Sequence, residues 1–227
     1  MTKPKTRPLL SKDGSIHVTD EVYNTLISSL GVLLSVIGVI FLVCRAHLAG
    51  QLWHVVSFSI YGVGLISVFL ASALHHGVDG SPRTNHLLRQ LDYFAIFLMI
   101  AGTFTPFCLI FLRDSLGWPV MIFVWSLAIL GITLKALFPH IHKWVTLSFY
   151  IGMGWLGLLI VKPVYSAIHW QGGVAFFLGG FFFTVGGLIY GLEKPNPFPG
   201  KFGFHEIWHC FVLAGAASHF YIMYRCF

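Results

Sequence analysis

Seven apolar stretches, each 18 to 25 residues long and almost free of charge, set the terms for this chain. They are 22–44, 52–74, 87–111, 117–138, 144–161, 171–192 and 204–224. A helix rising 1.5 Å per residue needs about 20 apolar residues to cross the hydrocarbon core of a bilayer. Each stretch meets or approaches that length. The reading is an all-α membrane protein: a seven-transmembrane helix bundle spanning 22–224, with a short tail at 1–21 and six short loops. No room is left for a separate soluble domain.

Composition agrees. Hydrophobic residues make up 56% of the chain and charged residues 10%, whereas a soluble domain carries about 25% charged residues. A disordered chain, a disulfide-rich secreted scaffold and an ordinary cytosolic enzyme are therefore excluded. The first stretch is too long for the core of a signal peptide and has no cleavage pattern after it, so it stays as the first crossing. The expected location is the cell membrane, multi-pass, which in a bacterium means the inner membrane.

The formal charge of +6 could suggest nucleic acid, but no run of Lys and Arg forms a stripe able to follow phosphates. The basic residues read better as topology signals. With a cytoplasmic N-terminus, the inner side carries ten, Lys3, Lys5, Arg7, Lys12, Arg83, Arg89, Lys135, Lys143, Lys194 and Lys201. The outer side carries four, Arg45, Arg113, Lys162 and Arg225. This bias predicts N-terminus cytoplasmic, C-terminus external. Cys44, Cys108, Cys210 and Cys226 show no CxxC pairing and read as small apolar residues in helices. Gly187 and Gly191 make a GxxxG step, and Pro106 predicts a kink. Gly152, Gly154 and Gly157 match a dinucleotide pattern, but no strand precedes them, and they read as small residues at a helix interface.

Ionisable residues inside the apolar stretches carry the functional signal. Each costs about 2.5–3.5 kcal/mol at mid-membrane unless it is paired or ligated. His205 and His209 stand four residues apart in the string HEIWH, which puts both imidazoles on one helix face, one turn apart. That spacing suits two ligands of one metal. The string also matches the HExxH of zinc proteases, but His219 is about 15 Å farther along the axis. A third ligand must come from another helix. Glu206 is either a base or a rim carboxylate near a helix N-terminus. Ser72, His75 or His76, and Asp92 belong to the same cytoplasmic half of the membrane, so these side chains converge with His205 and His209 on one depth. The bland alternative pairs Asp92 with Arg89, one turn earlier.

Four segments in order now identify a resemblance. They are Glu21 and Asn24 opening the first helix, SALHH at 72–76, LDYFAIFLMIAGTFTPF at 91–107 and HEIWHCFVLAGAASHF at 205–220. Together they resemble the hemolysin III family of the progestin and adipoQ receptor superfamily, from Glu21 to Tyr224. The resemblance implies a Zn²⁺ inside the membrane near its cytoplasmic face, held by His76, His205 and His209. It implies Asp92 as the group that holds the catalytic water, and Ser72 as a hydrogen-bonding group for the transition state. The chain departs from many relatives at Ile27 and Ser28, where they carry a Thr-His pair.

Three imidazoles with one open position form the catalytic rather than the closed structural pattern of zinc. A site within the leaflet selects lipid-like partners by partition, and kinship with alkaline ceramidases suggests hydrolysis of a lipid amide or ester. A non-catalytic receptor or regulator of membrane lipid homeostasis, stapled by zinc across the second, third and seventh helices, is the alternative. A pore-forming cytolysin needs a polar stripe along whole helices, and no stretch has one.

Overall fold

A computed structural model describes residues 21–225, the side chains of Pro163 and Ala167 excepted. The basic tail (Lys3, Lys5, Arg7 and Lys12) and Cys226 lie outside the described residues. Seven α-helices form within them: α1 (Glu21–Leu48), α2 (Leu52–Gly77), α3 (Pro82–Pro106), α4 (Gly117–Leu137), α5 (Lys143–Trp155), α6 (Leu158–Leu192) and α7 (Phe204–Arg225). Six segments are long and apolar enough to cross a membrane, so this is a multi-pass α-helical membrane protein. The helix α7 has the length as well, but His205, Glu206, His209 and His219 make it less apolar.

The bundle packs with its polarity reversed relative to a soluble protein. Along α1 the buried positions are Asn24, Ser28, Gly31, Ser35, Leu42 and Ala46, a seam of mostly small or polar residues at helical spacing. Leu26, Leu30, Leu33 and Ile37 on the same helix face outward. Lipid tails are as apolar as Leu, so helices in a membrane gain by bringing small residues together and leaving the large ones to lipid. The helices α2 and α3 approach each other closely. A Cβ on Gly64 would stand 2.7 Å from the carbonyl oxygen of Leu98, and one on Gly102 would stand 3.3 Å from that of Ile60. Neither backbone can be approached this closely by a larger residue.

The helices extend past the apolar stretches where local chemistry favours it. Ser81 caps α3 by accepting from the Thr84 amide at 3.2 Å, and Pro82 occupies the first turn, where its missing N–H costs nothing. The helix therefore starts five residues before the apolar run at 87–111. At its other end, Pro106 gives a widened π turn over Phe107–Phe111 in place of a simple kink. The helices of the fifth and sixth crossings do not break where the apolar runs 144–161 and 171–192 do. The α5 helix stops at Trp155, and α6 then runs continuously from Leu158 apart from His169, whose φ of 55° breaks helical geometry. The crossing segments are thus Lys143–Lys162 and Ile168–Leu192. Gly152 and Gly154 do not sit at an interface, since an added Cβ at either meets nothing within 4 Å. Gly157 does, packing under Phe176.

One end of the bundle gathers the starts of α1, α3, α5 and α7 and the ends of α2, α4 and α6, as their order requires. The buried polar residues Asn24, Ser72, His75, His76, His205, Glu206 and His209 lie towards these helix ends.

Candidate metal centre

The α2 helix ends on His75 and His76, and α7 opens with His205 and His209. All four are buried. The Nε2 atom of His76 lies 3.3 Å from that of His205 and 3.2 Å from that of His209. One nitrogen from each ring can be chosen so that all three fall within 4.8 Å of one another. Four ligands arranged tetrahedrally at 2.0–2.1 Å from an ion are about 3.3 Å apart. The two spacings from His76 are therefore those of edges of a tetrahedral metal site. Among the described residues they form the one group of three such side chains able to hold a metal ion. His75 is turned elsewhere: its ring is tilted against that of His76, the centroids 4.7 Å apart, and it lines a neighbouring cavity.

The far side of the His76 ring settles how its near side behaves. Its Nδ1 lies 2.5 Å from Oε2 of Glu21, at the start of α1. Nδ1–H donates to this carboxylate, so in the neutral ring Nε2 carries a lone pair towards His205 and His209. A single in-plane lone pair cannot serve two N–H donors well, whereas one cation can be shared by all three nitrogens. The donor set fits a zinc-like ion.

Ser72 stands one turn before His76 on α2. It is buried, and its Oγ lies 2.8 Å from Oγ of Ser28. The Ser28 hydroxyl thus holds Ser72 in place. Asp92 projects from α3 within electrostatic reach of His76 and His205. No described ion pair joins it to Arg89. Glu206 is fully buried, and its Oε2 accepts from the Gly203 amide at 2.7 Å. This is the reciprocal contact of a helix-capping box, made by a carboxylate in the interior rather than at a rim.

Two cavities meet at Asp92. The first, about 1250 Å³ with its mouth, is almost wholly apolar and runs between α3, α5, α6 and α7. Ser72, Asp92 and His209 line one end, and His219 lies farther along, ringed by Phe107, Phe176 and Phe183. The second, about 950 Å³ with its mouth, opens at the helix ends beside His75 and His205. Asp92, Ile96, Leu147, Tyr150 and Trp208 border both. Tyr150 braces this junction by donating its hydroxyl to the carbonyl of Tyr93 at 2.8 Å.

Residues 16–220 match the sequence model of a family described as haemolysin-III related. The chain belongs to that family. It is 38% identical over 212 residues to the Hemolysin-3 homolog of Bacillus subtilis (strain 168), covering 92% of this chain and 95% of that protein. It is likewise 38% identical to the Hemolysin-3 of Bacillus cereus over 204 residues, 90% of each. Similarity reaches the Monocyte to macrophage differentiation factor of Homo sapiens, at 30% over 187 residues, 79% of this chain and 74% of that protein. The haemolysin-III-related chains thus fall within the progestin and adipoQ receptor superfamily.

In this haemolysin-III-related chain, sequence reasoning placed His76, His205, His209, Ser72 and Asp92 at one depth, and the fold brings the three histidines into contact distance. Two partners were not visible from sequence. Glu21 reads only as a landmark of α1, although an acid at the site end of a helix whose inner face is Asn24 and Ser28 is a usable signal. Ser28 reads only as a departure, and its contact with Ser72 is purely tertiary.

Proposed function

We propose that this chain is a zinc-dependent hydrolase that cuts an amide or ester bond of a lipid within the membrane. The observation that carries the reading is the placement of three convergent imidazoles where a long apolar cavity ends on Ser72, Asp92 and His209. His76, His205 and His209 hold the ion, and Glu21 keeps His76 in the tautomer that ligates. Zinc, when bound, supplies a Lewis acid and a water acidic enough to react near neutral pH.

The remaining work falls to the chain's own groups. Asp92 has no capping or ion-pair duty like that of Glu206, and its carboxylate is the proton acceptor for the attacking water. Ser72 Oγ, held by Ser28, donates to the oxygen on which negative charge develops. The apolar cavity takes the lipid chain and keeps bulk water from the reacting carbonyl.

One observation favours a second reading, a non-catalytic receptor or regulator stapled by zinc. All three histidines come from α2 and α7, while α7 packs mainly along α6 and α1. A metal here would tie together two helices that otherwise touch little. Asp92 on α3 would then balance charge without ligating. The name of the Bacillus cereus relative speaks of lysis by that protein; here the outward faces are Leu, Ile, Val and Phe, which is no lining for a pore.

Purified protein supplied with a fluorogenic lipid amide and ester separates the two readings. The hydrolase turns over one of them, loses activity to a zinc chelator and regains it with added Zn²⁺. A protein that holds zinc and cuts neither class of bond is the stapled regulator.

A further inference from the structure

His219 is a polar group that the metal centre does not use. It lies on α7, about 15 Å along the helix axis from His209, and lines the same apolar cavity that ends on Ser72, Asp92 and His209. The rings of Phe107, Phe176 and Phe183 surround it, with centroids 6.4, 6.0 and 5.7 Å away. Room for the imidazole is kept by Gly179 on α6, where an added Cβ would stand 2.3 Å from Nε2.

An aromatic wall of this kind is built at no polar cost from phenyl rings, whereas an imidazole in it needs hydrogen-bond partners. One is the backbone carbonyl of Phe176, to which a ring N–H donates. In the neutral ring the other nitrogen then carries a lone pair, and among the described residues nothing donates to it. The cavity's other hydroxyls away from the metal centre are already engaged. Thr103 donates to the Met99 carbonyl at 2.7 Å, and Thr184 accepts from the Trp155 indole at 3.2 Å.

We propose that His219 reads a hydroxyl far down the chain of the bound lipid. The proposal rests on the hydrolase reading for where the lipid carbonyl lies, and it narrows the substrate class to lipids with an alcohol on the acyl chain. Three bonds of an extended chain span about 3.3–3.6 Å, so about 15 Å corresponds to roughly a dozen bonds between carbonyl and hydroxyl. The O–H donates to the lone pair of His219. A plain methylene there leaves that nitrogen unsatisfied, and a charged group meets only Phe rings.

The test uses the full chain in detergent micelles and two isomers, the 12-hydroxyoctadecyl and 6-hydroxyoctadecyl ethers of glycerol. Neither has an acyl bond to cut, and their common formula makes them partition nearly alike. Lipid retained by the protein from an equimolar mixture is extracted, separated and quantified. The expected result is a preference of about two- to tenfold for the 12-hydroxy isomer, the worth of one hydrogen bond. His219→Phe, which keeps an aromatic ring in the wall, should bring the ratio to about one. Gly179→Ala, which displaces the imidazole, should lower it. Equal retention by the wild-type protein, or a preference for the 6-hydroxy isomer, overturns the proposal without reference to any variant. A ratio unchanged in His219→Phe overturns it too. Preference without turnover of any lipid amide or ester leaves the His219 subsite standing and removes the hydrolase; turnover without preference does the reverse.

Discussion

Oε2 of Glu21 stands 2.5 Å from Nδ1 of His76, joining the first turn of α1 to the last turn of α2. The contact crosses 55 residues of chain and gives the imidazole both its orientation and its tautomer. Carboxylates in this relation to a ligating histidine raise the basicity of the opposite nitrogen, and their loss costs about 10–100-fold in metal affinity.

Glu21→Gln is expected to weaken Zn²⁺ binding by that factor of about 10–100 while the helices stay assembled. Competition with a chromophoric chelator measures it. His75→Ala, whose ring lies outside the group of three, should leave the affinity within about threefold of wild type.

Helix packing makes a prediction of its own. Gly64→Ala places a Cβ 2.7 Å from a backbone oxygen of α3, and neither rigid helix can yield locally. The expected cost is about 1–3 kcal/mol, the usual range for overpacking. Gly152→Ala, which meets nothing within 4 Å, should be neutral or slightly stabilising. Thermal unfolding of the two purified variants provides the comparison.

Topology follows from ten basic residues at one end of the crossings against four at the other. The expectation is a cytoplasmic N-terminus and, after seven crossings, an external C-terminus. A phosphatase fused after Phe227, active only outside the cytoplasm, should be active, and a fluorescent protein that matures only inside should be dark. The opposite pair of signals would turn the whole bundle over.

What could be read in the sequence depended on whether the signal was local. Apolar length marks a helix by itself, so the segments were legible, and so were His205 and His209, whose i, i+4 spacing is a property of one helix. The residues at the end of α2, taken alone, left His75 or His76 open, because two adjacent residues point about 100° apart; the family resemblance pointed to His76, and the fold puts that ring against His205 and His209. The early start of α3 was written in Ser81 and Pro82, but hydropathy does not weigh a cap. The break at His169 left no such mark, since a non-glycine residue at φ 55° is held there by its surroundings. Pairings across the bundle, Glu21 with His76 and Ser28 with Ser72, have no sequence spacing to announce them.

The claim on which the account turns is that Asp92 works beside the three histidines as a proton acceptor and is not part of their scaffold. Asp92→Asn keeps the size of the side chain and part of its hydrogen bonding but removes the base. The decisive measurement is zinc content and lipid amide or ester turnover on the same purified preparation of wild type and Asp92→Asn. Full zinc is expected in both, with turnover reduced by about 10²–10⁴-fold in the variant, the range for a lost general base. A variant that holds its zinc and cuts the lipid at the wild-type rate would contradict it.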